Sequence, residues 1–330
     1  MDREKILQAI NYNQQGKFDV DVKCGELSRY SNAANNEEYW YQCSGSPSRM
    51  NLNIRFTPHA DQMLLSRLKL PVSYIHRCPA ELADYNANYW LEKFKYRPLK
   101  MRMTSPEHCR AVFSNRFNSA LDDHKVFPII LFALENQGNF EEALCKTSEF
   151  TQYQVWSPDL SANWHGVDSH AGIMVLNSEI GHCALQFRPL VHMANSHYSV
   201  YANKFGGKTW FRHTQDLNET KLTTAISDAL TAAQQGIQEV FHTTQEMFEK
   251  PLDELKRFVD SAQMVSENVL DSLLAEYESV QIKSRFDIAQ DILRAVAHLP
   301  AFRKHLITNE VSNYLFKHDA ERIDSVLDEL

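Results

Sequence analysis

The chain lacks several features that would place it in a protein class at once. No apolar run approaches the roughly 18 residues that a membrane-spanning helix needs. The charged start Met1–Lys5 leads into no hydrophobic signal segment. The six cysteines are scattered singly without a C-x-x-C pair, which disfavours a disulfide framework or a structural zinc site. We therefore expect a cytoplasmic protein with reduced cysteines, no membrane association and no cofactor.

Signatures of two catalytic classes are missing as well. The sequence has no G-x-S-x-G nucleophile motif, and no cysteine is marked as a nucleophile by its neighbours. The loop Phe205–Lys208 contains two glycines and a lysine but lacks the spacing of a phosphate-binding P-loop. Nucleotide hydrolysis and serine or cysteine nucleophilic catalysis are therefore not favoured.

Charge is distributed unevenly along the chain. The formal net charge is −8, yet residues 51–130 carry 12 Lys and Arg against 7 Asp and Glu. Residues 215–330 carry 11 against 21. An acidic protein can still bind polyanions through one basic face, and residues 51–130 are the candidate for that face. The acidic excess of the C-terminal part is typical of solvated helix faces.

Hydrophobic periodicity predicts an α+β fold. Alternating apolar positions predict strands within 17–56 and at 99–103, 110–113, 140–156, 171–176 and 183–193. Helices are predicted between them, one of them starting with Thr57 as N-cap and Pro58 as first helical residue. We expect a mixed or antiparallel sheet interrupted by helices, followed by an α-helical C-terminal region. The expected domains are an α+β core at 1–215 and an acidic helical region at 216–330.

Five motifs occur in an order that resembles a known family. They are Leu68–Tyr74, Pro79–Ala83, Asn88–Leu91, Arg110–Phe117 and Asn177–Gly181. Together they resemble the phage/plasmid-like proteins grouped as domain-of-unknown-function family 932, over roughly residues 50–215. Such proteins commonly carry a Cys-x-Asn-Gly-like element after the Asn-Ser-Glu turn, whereas this chain has Met193–Ser196. The resemblance implies a protein of phages, plasmids or integrated elements, whose accessory genes often handle DNA.

Basic and aromatic residues are interleaved in the segment that carries the positive charge. Basic grooves that follow phosphates, with aromatic rings that stack on bases, are typical of single-strand binding. The candidate phosphate contacts are Lys100, Arg102, Arg110 and Arg116, and the candidate stacking rings are Tyr89, Trp90 and Tyr96. We expect the arginines to open into one groove that exposes at least one of these rings. The alternative is an ordinary solvated strand with neighbouring helix charges, in which Tyr89 and Phe94 are core residues. Arg116 buried against Asp122 or Asp123 would be a structural arginine.

A second group of polar residues surrounds the strand at 171–176. Asn177, Ser178 and Glu179 follow that strand, and Glu179 could be a general base or a metal ligand. The same residues also suit a turn in which Gly181 takes positive φ. Six histidines fall between 165 and 213, without the H-x-H spacing of a strand-borne metal site: His165, His170, His182, His192, His197 and His213. The weaker metal hypothesis uses His170, His182 and Glu179.

Three functions remain open from the sequence. The favoured one is a non-catalytic protein that binds single-stranded DNA in recombination or strand annealing, with self-association as a homo-oligomer. The second is a metal-assisted nuclease or hydrolase. The third is an interaction protein that binds a host or element-encoded partner through its acidic helices, since an acidic surface can imitate DNA.

Overall fold

The computed structural model describes residues 3–12, 16–31, 39–44, 52–147, 149–164, 166–196, 198–214, 218–262 and 267–316. Two six-stranded sheets with helices packed on them form the fold in these residues, and helices occupy its C-terminal part. The predicted α+β class is therefore confirmed. His165 and His197 lie outside the described residues.

Sheet A holds the N-terminal strands and the basic segment. Its strands are β1 (Phe18–Lys23), β2 (Leu27–Tyr30), β3 (Tyr39–Cys43), β4 (Leu52–Phe56), β5 (Pro98–Ser105) and β6 (His108–Ser114), in the order β1-β5-β6-β4-β3-β2. Strands β4 and β6 pair in parallel and the other neighbours are antiparallel, so the sheet is mixed. Helices α2 (Pro58–Arg67), α3 (Val72–Ile75) and α4 (Ala80–Lys93) share a hydrophobic core with it.

Local sequence signals explain two of these elements. The Thr57 hydroxyl accepts a hydrogen bond from the Ala60 N–H at 3.1 Å, and Pro58 occupies the first helical position, as predicted. In β5, Leu99, Met101 and Met103 are buried in the core of sheet A, while Lys100 and Arg102 share the other face. That alternation follows from the two-residue period of a strand.

Sheet B is antiparallel and lies between helices. Its strands are β7 (Glu141–Lys146), β8 (Thr151–Trp164), β9 (Val167–Asn177), β10 (Leu185–Met193), β11 (Tyr198–Tyr201) and β12 (Thr209–Phe211), with β12 pairing to β10 beside β11. One core cluster joins this sheet to α1 (Arg3–Tyr12), α5 (Asp123–Glu135) and the first half of α6 (Glu219–Gln245). A second joins it to the rest of α6 and to the helices that follow.

The C-terminal helices pack on sheet B and share its core. They are α7 (Pro251–Ser261), α8 (Glu267–Tyr277), α9 (Arg285–Ala295) and α10 (Ala301–Leu315), with a small ribbon of β13 (Met247–Phe248) and β14 (Lys283–Ser284). Residues of β9, β10 and β11 lie in one cluster with residues of all these helices. At the expected boundary 215/216 the chain changes from mixed strands and helices to mainly helices. The helices after this boundary nevertheless share hydrophobic cores with sheet B. No described helix has both the length and the apolar content needed to cross a bilayer.

Candidate nucleic-acid interface

Arg102 lies at the centre of a buried ion-pair network that joins the two sheets. Its guanidinium donates to both oxygens of Asp122, at 2.8 and 2.9 Å, and to both oxygens of Asp19, at 2.9 and 3.0 Å. It also donates to the backbone carbonyl of Glu179 at 2.7 Å. Because only 4% of Arg102 is exposed, its donors serve the fold. The expectation that Arg102 contacts phosphate is corrected accordingly.

The polar turn after β9 completes this network. Glu179 accepts from the Lys17 ammonium and from the Asp123 backbone N–H, each at 3.0 Å. The Asn177 amide donates to the Asp123 carboxylate at 2.8 Å, and Lys146 pairs with the same carboxylate at 2.7 Å. These contacts tie the end of β9 to the start of α5, which assigns the turn a structural role.

Charged partners favour the ionised forms of Glu179 and Arg102, whereas at Asp122 burial outweighs Arg102 and raises the pKa of the carboxyl to about 6. Burial raises the pKa of Glu179, but Lys17 and Lys146 outweigh that effect and bring this pKa below its ordinary value. Burial likewise lowers the pKa of Arg102, and its hydrogen bonds to Asp19 and Asp122 reverse the shift, so that this pKa is raised. A carboxylate with a lowered pKa is a weak proton acceptor. The general-base hypothesis for Glu179 is therefore not supported.

Ser178 and Gly181 shape the same turn. The Ser178 hydroxyl donates to the Glu149 carbonyl at 2.6 Å and accepts from the His182 N–H at 3.1 Å. Gly181 has φ +83°, and a Cβ there would lie 3.0 Å from the Phe113 ring. Positive φ at Gly181 was predicted from the sequence, while the close approach to Phe113 required the structure.

The remaining predicted phosphate contacts have different surroundings. Lys100 lies 3.5 Å from Asp21 across the β1–β5 pair. Arg110 is half-buried, and burial lowers its pKa while the charge of Glu179 opposes that shift. Arg116 is exposed in the turn after β6. The arginine that pairs with Asp122 is thus Arg102, and not Arg116. Because Arg102 is buried, it does not belong to the common groove that was expected for the three arginines.

The three residues of the metal hypothesis each have other partners. His170 lies 3.4 Å from Asp168, His182 packs against His59, and Glu179 pairs with Lys17. In the part of the chain that the structure describes, no three His, Cys, Asp or Glu side chains are placed to hold an ion. The geometry therefore gives the nuclease hypothesis no metal centre.

Two adjoining clefts, which we call the imidazole groove, lie between α2 and the loops that follow β9 and β12. Their volumes are about 570 and 400 Å³, and both are lined by Met63, Arg67 and His182. The further lining residues are His59, Gln62, Ser66, Phe113, Ser114, Phe117, Gly181, Cys183, Ala184, Arg212, His213 and Thr214. Apart from Cys183, each ionisable side chain among these described residues is a histidine or an arginine.

His59 and His182 form a ring pair in the groove. Their centroids are 3.9 Å apart, and the His59 Nε2 lies 2.8 Å from the Ile180 carbonyl, to which it donates. Burial lowers the pKa of His182 below its ordinary value, and His59 lowers it further. An anion in the groove would oppose both effects, because it favours the protonated imidazole.

Three stacked rings form one wall of the groove. Phe113 and Phe117 stack at 3.7 Å, and the ring of His213 lies parallel to Phe117 at 5.2 Å. His213 is 7% exposed, and among the described residues neither of its ring nitrogens has a hydrogen-bond partner. Burial, and secondarily Arg102, lowers the pKa of His213 to about 4, so the ring is neutral near pH 7.

A row of alternating cations and rings leads from α4 to the groove, and we call it the aromatic ladder. The Lys93 ammonium lies 4.2 Å from the Trp90 ring centre, Trp90 stacks on Phe94 at 5.6 Å, and the Arg97 guanidinium lies 4.0 Å from the Phe94 ring centre. Arg97 also donates a hydrogen bond to the backbone carbonyl of Arg67. These are cation–π distances, and Arg67 connects the ladder to the groove.

Exposed tyrosines lie beside this ladder. Tyr89 is 56% exposed and Tyr96 is 79% exposed, with Tyr85 on the same side of α4. Lys95 places its ammonium 5.5 Å from the centre of the Tyr96 ring. The alternative that made Tyr89 a core residue is therefore wrong, and Trp90 is half-buried.

Several residues of the groove and the ladder were not predicted as site residues from the sequence. His59, Arg67 and Arg212 stand in no motif that marks them, and they meet only because α2 and the β12 loop converge. Phe94 and Arg97 offered a signal, since cations and rings alternate from 93 to 97. His213 offered none beyond the density of histidines around it.

Comparisons of the chain with protein-family models, with curated proteins and with solved structures yield no match. The resemblance to the phage/plasmid-like family stays a prediction that rests on the five motifs.

Proposed function

We propose that this protein binds single-stranded nucleic acid along a path formed by the imidazole groove and the aromatic ladder. The observation that carries the proposal is the chemistry of the lining: its ionisable groups other than Cys183 are Arg67, Arg212 and histidines. Phosphates of a strand are held by such groups, and bases stack on neighbouring rings. The path replaces the predicted contacts of Lys100 and Arg102 with those of Arg67 and Arg212.

The aromatic ladder is better suited to binding an extended nucleic-acid strand than a small ligand. The exposed faces of Tyr89 and Tyr96 flank the cations Lys93 and Lys95, so that phosphate and base partners alternate along the surface. A mononucleotide would need one such pair, whereas an extended strand would use several. Single-stranded DNA is the partner we favour, because the family resemblance implies a mobile element, whose accessory genes often handle DNA. Recombination or strand annealing is the most concrete role for such a protein.

The test is the fluorescence anisotropy of a labelled oligothymidylate long enough to span the groove and the ladder, titrated over a salt series. The double variant K93A/R212A removes one exposed cation from each end of the path. The matched control K256A/R257A removes the same residue types from the exposed side of α7. We expect K93A/R212A to bind more weakly, with a salt slope reduced by about 0.7 per lost phosphate contact.

Three results would overturn the proposal. They are no binding by the wild type at low salt, binding that does not depend on salt, or equal losses in the two double variants. Equal binding of a duplex of the same length would overturn the choice of single strands. Circular dichroism of each variant confirms that the fold is retained.

A further inference from the structure

Arg188 is a buried guanidinium whose hydrogen bonds go to uncharged groups. It lies on β10 and is 8% exposed. Its Nε and Nη2 donate to the Gln186 side-chain oxygen at 3.0 and 2.8 Å, and its Nη1 donates to Asn309 on α10 at 2.8 Å. Among the described residues, no carboxylate forms an ion pair with it. A buried charge without a counter-charge is costly, so its surroundings call for an anion.

A second cation lies close to this guanidinium. Lys208 immediately precedes β12, and because Thr209 pairs with Phe187, Lys208 lies next to Arg188 at the end of the β10–β12 pair. Burial together with the nearby Arg188 lowers the pKa of the Lys208 ammonium. Within the described ranges, Lys208 also forms no ion pair with a carboxylate. Two neighbouring like charges repel each other and favour an anion between them, and Lys208 is exposed to solvent while Arg188 is buried.

The other ionisable groups here do not neutralise this pair. Burial raises the pKa of the Cys183 thiol to about 12, and burial also raises the pKa of Tyr201, so both are uncharged near pH 7. His305, which hydrogen bonds to the Tyr201 hydroxyl at 2.9 Å, has its pKa lowered to about 3 by burial and then by Arg188 and Lys208. The local charge is therefore positive.

The backbone fixes the position of Lys208. Gly206 and Gly207 have φ of +88° and +66°. A Cβ on Gly207 would lie 2.6 Å from the Asp228 carbonyl and 2.9 Å from the Ala229 Cα, so the loop lies directly on α6. A close glycine contact of this kind holds the chain in place. The exposed Trp210 follows, with its ring centre 5.8 Å from the Lys208 ammonium.

We propose that Arg188 and Lys208 bind a phosphate group between β10 and the Gly206–Lys208 loop. A guanidinium and an ammonium are the two side chains that most often bind phosphate, the first through its fork of N–H groups and the second as a point charge. The phosphate has two possible sources, a free ion or the terminal phosphate of a nucleic-acid strand. The second source rests on the proposed function, since Ala184 and Arg212 line the imidazole groove at one end of the β10–β12 pair, and Arg188 and Lys208 lie at its other end.

The first experiment uses inorganic phosphate and the full chain. Thermal unfolding and titration calorimetry are run with phosphate against chloride at equal ionic strength. We expect phosphate to raise the Tm of the wild type, because a ligand that binds the folded state stabilises it. K208A should weaken phosphate binding about tenfold or more. K204A removes an exposed lysine from the helical turn Asn203–Phe205, just before this loop, and should retain the wild-type response.

R188M removes the buried partner. It is a second test of phosphate binding in case the loss of Lys208 alters the structure of the loop. R188M removes the uncompensated cation and also its three hydrogen bonds to Gln186 and Asn309, so circular dichroism first establishes that the variant retains the fold. Its Tm should not respond to phosphate. A wild type that does not respond to phosphate, or K208A and K204A that respond alike, would overturn the proposal.

The second experiment separates the two sources. Oligonucleotides with a 5′-phosphate, a 3′-phosphate or hydroxyl ends are compared by anisotropy. Tighter binding of one phosphorylated strand that K208A abolishes identifies the strand terminus as the source. Equal binding of all three strands, with the calorimetric response to inorganic phosphate intact, identifies the free ion. Failure of K93A/R212A to weaken strand binding would count against the proposed function and leave the phosphate response untouched.

Discussion

Arg102 and Asp122 meet through two parallel hydrogen bonds of 2.8 and 2.9 Å, and Asp19 binds the same guanidinium from the neighbouring strand. The contact joins β5 of one sheet to the start of α5 beside the other. Arg102, which the sequence predicted to contact phosphate, therefore connects the two sheets.

Replacing Arg102 with Leu should destabilise the fold by about 3–5 kcal/mol, because it leaves buried carboxylates without their counter-charge. R116A is the matched control, since Arg116 is an exposed arginine in the turn after the adjacent strand. Its free energy of unfolding should change by no more than about 0.5 kcal/mol. Urea denaturation measures both, and similar losses in the two variants would contradict the structural role of Arg102.

The pair shows where prediction from sequence succeeded and where it stopped. Periodicity correctly placed Lys100 and Arg102 on the face of β5 opposite to the core. It could not show that this face is covered at Arg102, because Asp122 lies 20 residues away and the Glu179 carbonyl lies 77 residues away. An ion pair between distant segments depends on how the sheets meet, and no local pattern encodes that.

The same limit applies to the candidate site. The sequence identified the exposed rings of Tyr89 and Tyr96, because cations and aromatic residues alternate within one helix and its end. The imidazole groove combines residues from α2 with residues after β9 and β12, so its members are far apart in the chain. The short-range part of the site could be predicted from sequence, and the long-range part required the fold.

His213 should make the protein sensitive to mild acid. Its pKa of about 4 in the folded state lies below the 6.5 of an unperturbed histidine, so the unfolded chain binds more protons between these values. Stability is therefore fully present above pH 6.5 and is lost as pH falls towards 4, by on the order of 3 kcal/mol. H213F keeps a ring against Phe117 and should reduce this dependence in urea titrations at several pH values. H298F changes an exposed histidine and should leave it intact; an unchanged slope in H213F would contradict the assignment.

Gly181 should resist substitution more strongly than a glycine with similar φ in open space. G181A places a Cβ 3.0 Å from Phe113 at φ +83°, whereas G166A at φ +80° meets nothing within 4 Å. Both carry the strain of positive φ, about 1–2 kcal/mol, and G181A adds a steric contact at the groove. Thermal unfolding should rank G181A below G166A, and the reverse order would show that Phe113 moves freely.

Stacking on the aromatic ladder predicts a loss of affinity in Y96A. Removing this exposed ring should weaken binding of an oligonucleotide by about 1–3 kcal/mol if a base stacks on it. Y12A removes a ring of similar exposure, 75% against 79%, from the end of α1 and should bind like the wild type. Neither variant should change the free energy of unfolding by much, because neither ring is in the core. Equal affinities of Y96A and Y12A would remove Tyr96 from the path.

Deleting residues 216–330 should abolish folding of sheet B. In α6, Leu222, Ile226 and Ala229 lie in one core cluster with strands of sheet B, and Ala233 and Ile237 lie in the other. Removing α6 would expose buried apolar surface that contributes roughly 25 cal/mol per Å² to stability. Sheet A has a core without residues of 216–330, so circular dichroism and urea denaturation of residues 1–215 should show at most the strand signal and the transition of sheet A. A strand signal that accounts for both sheets would show that sheet B folds without the helices, and would contradict the prediction.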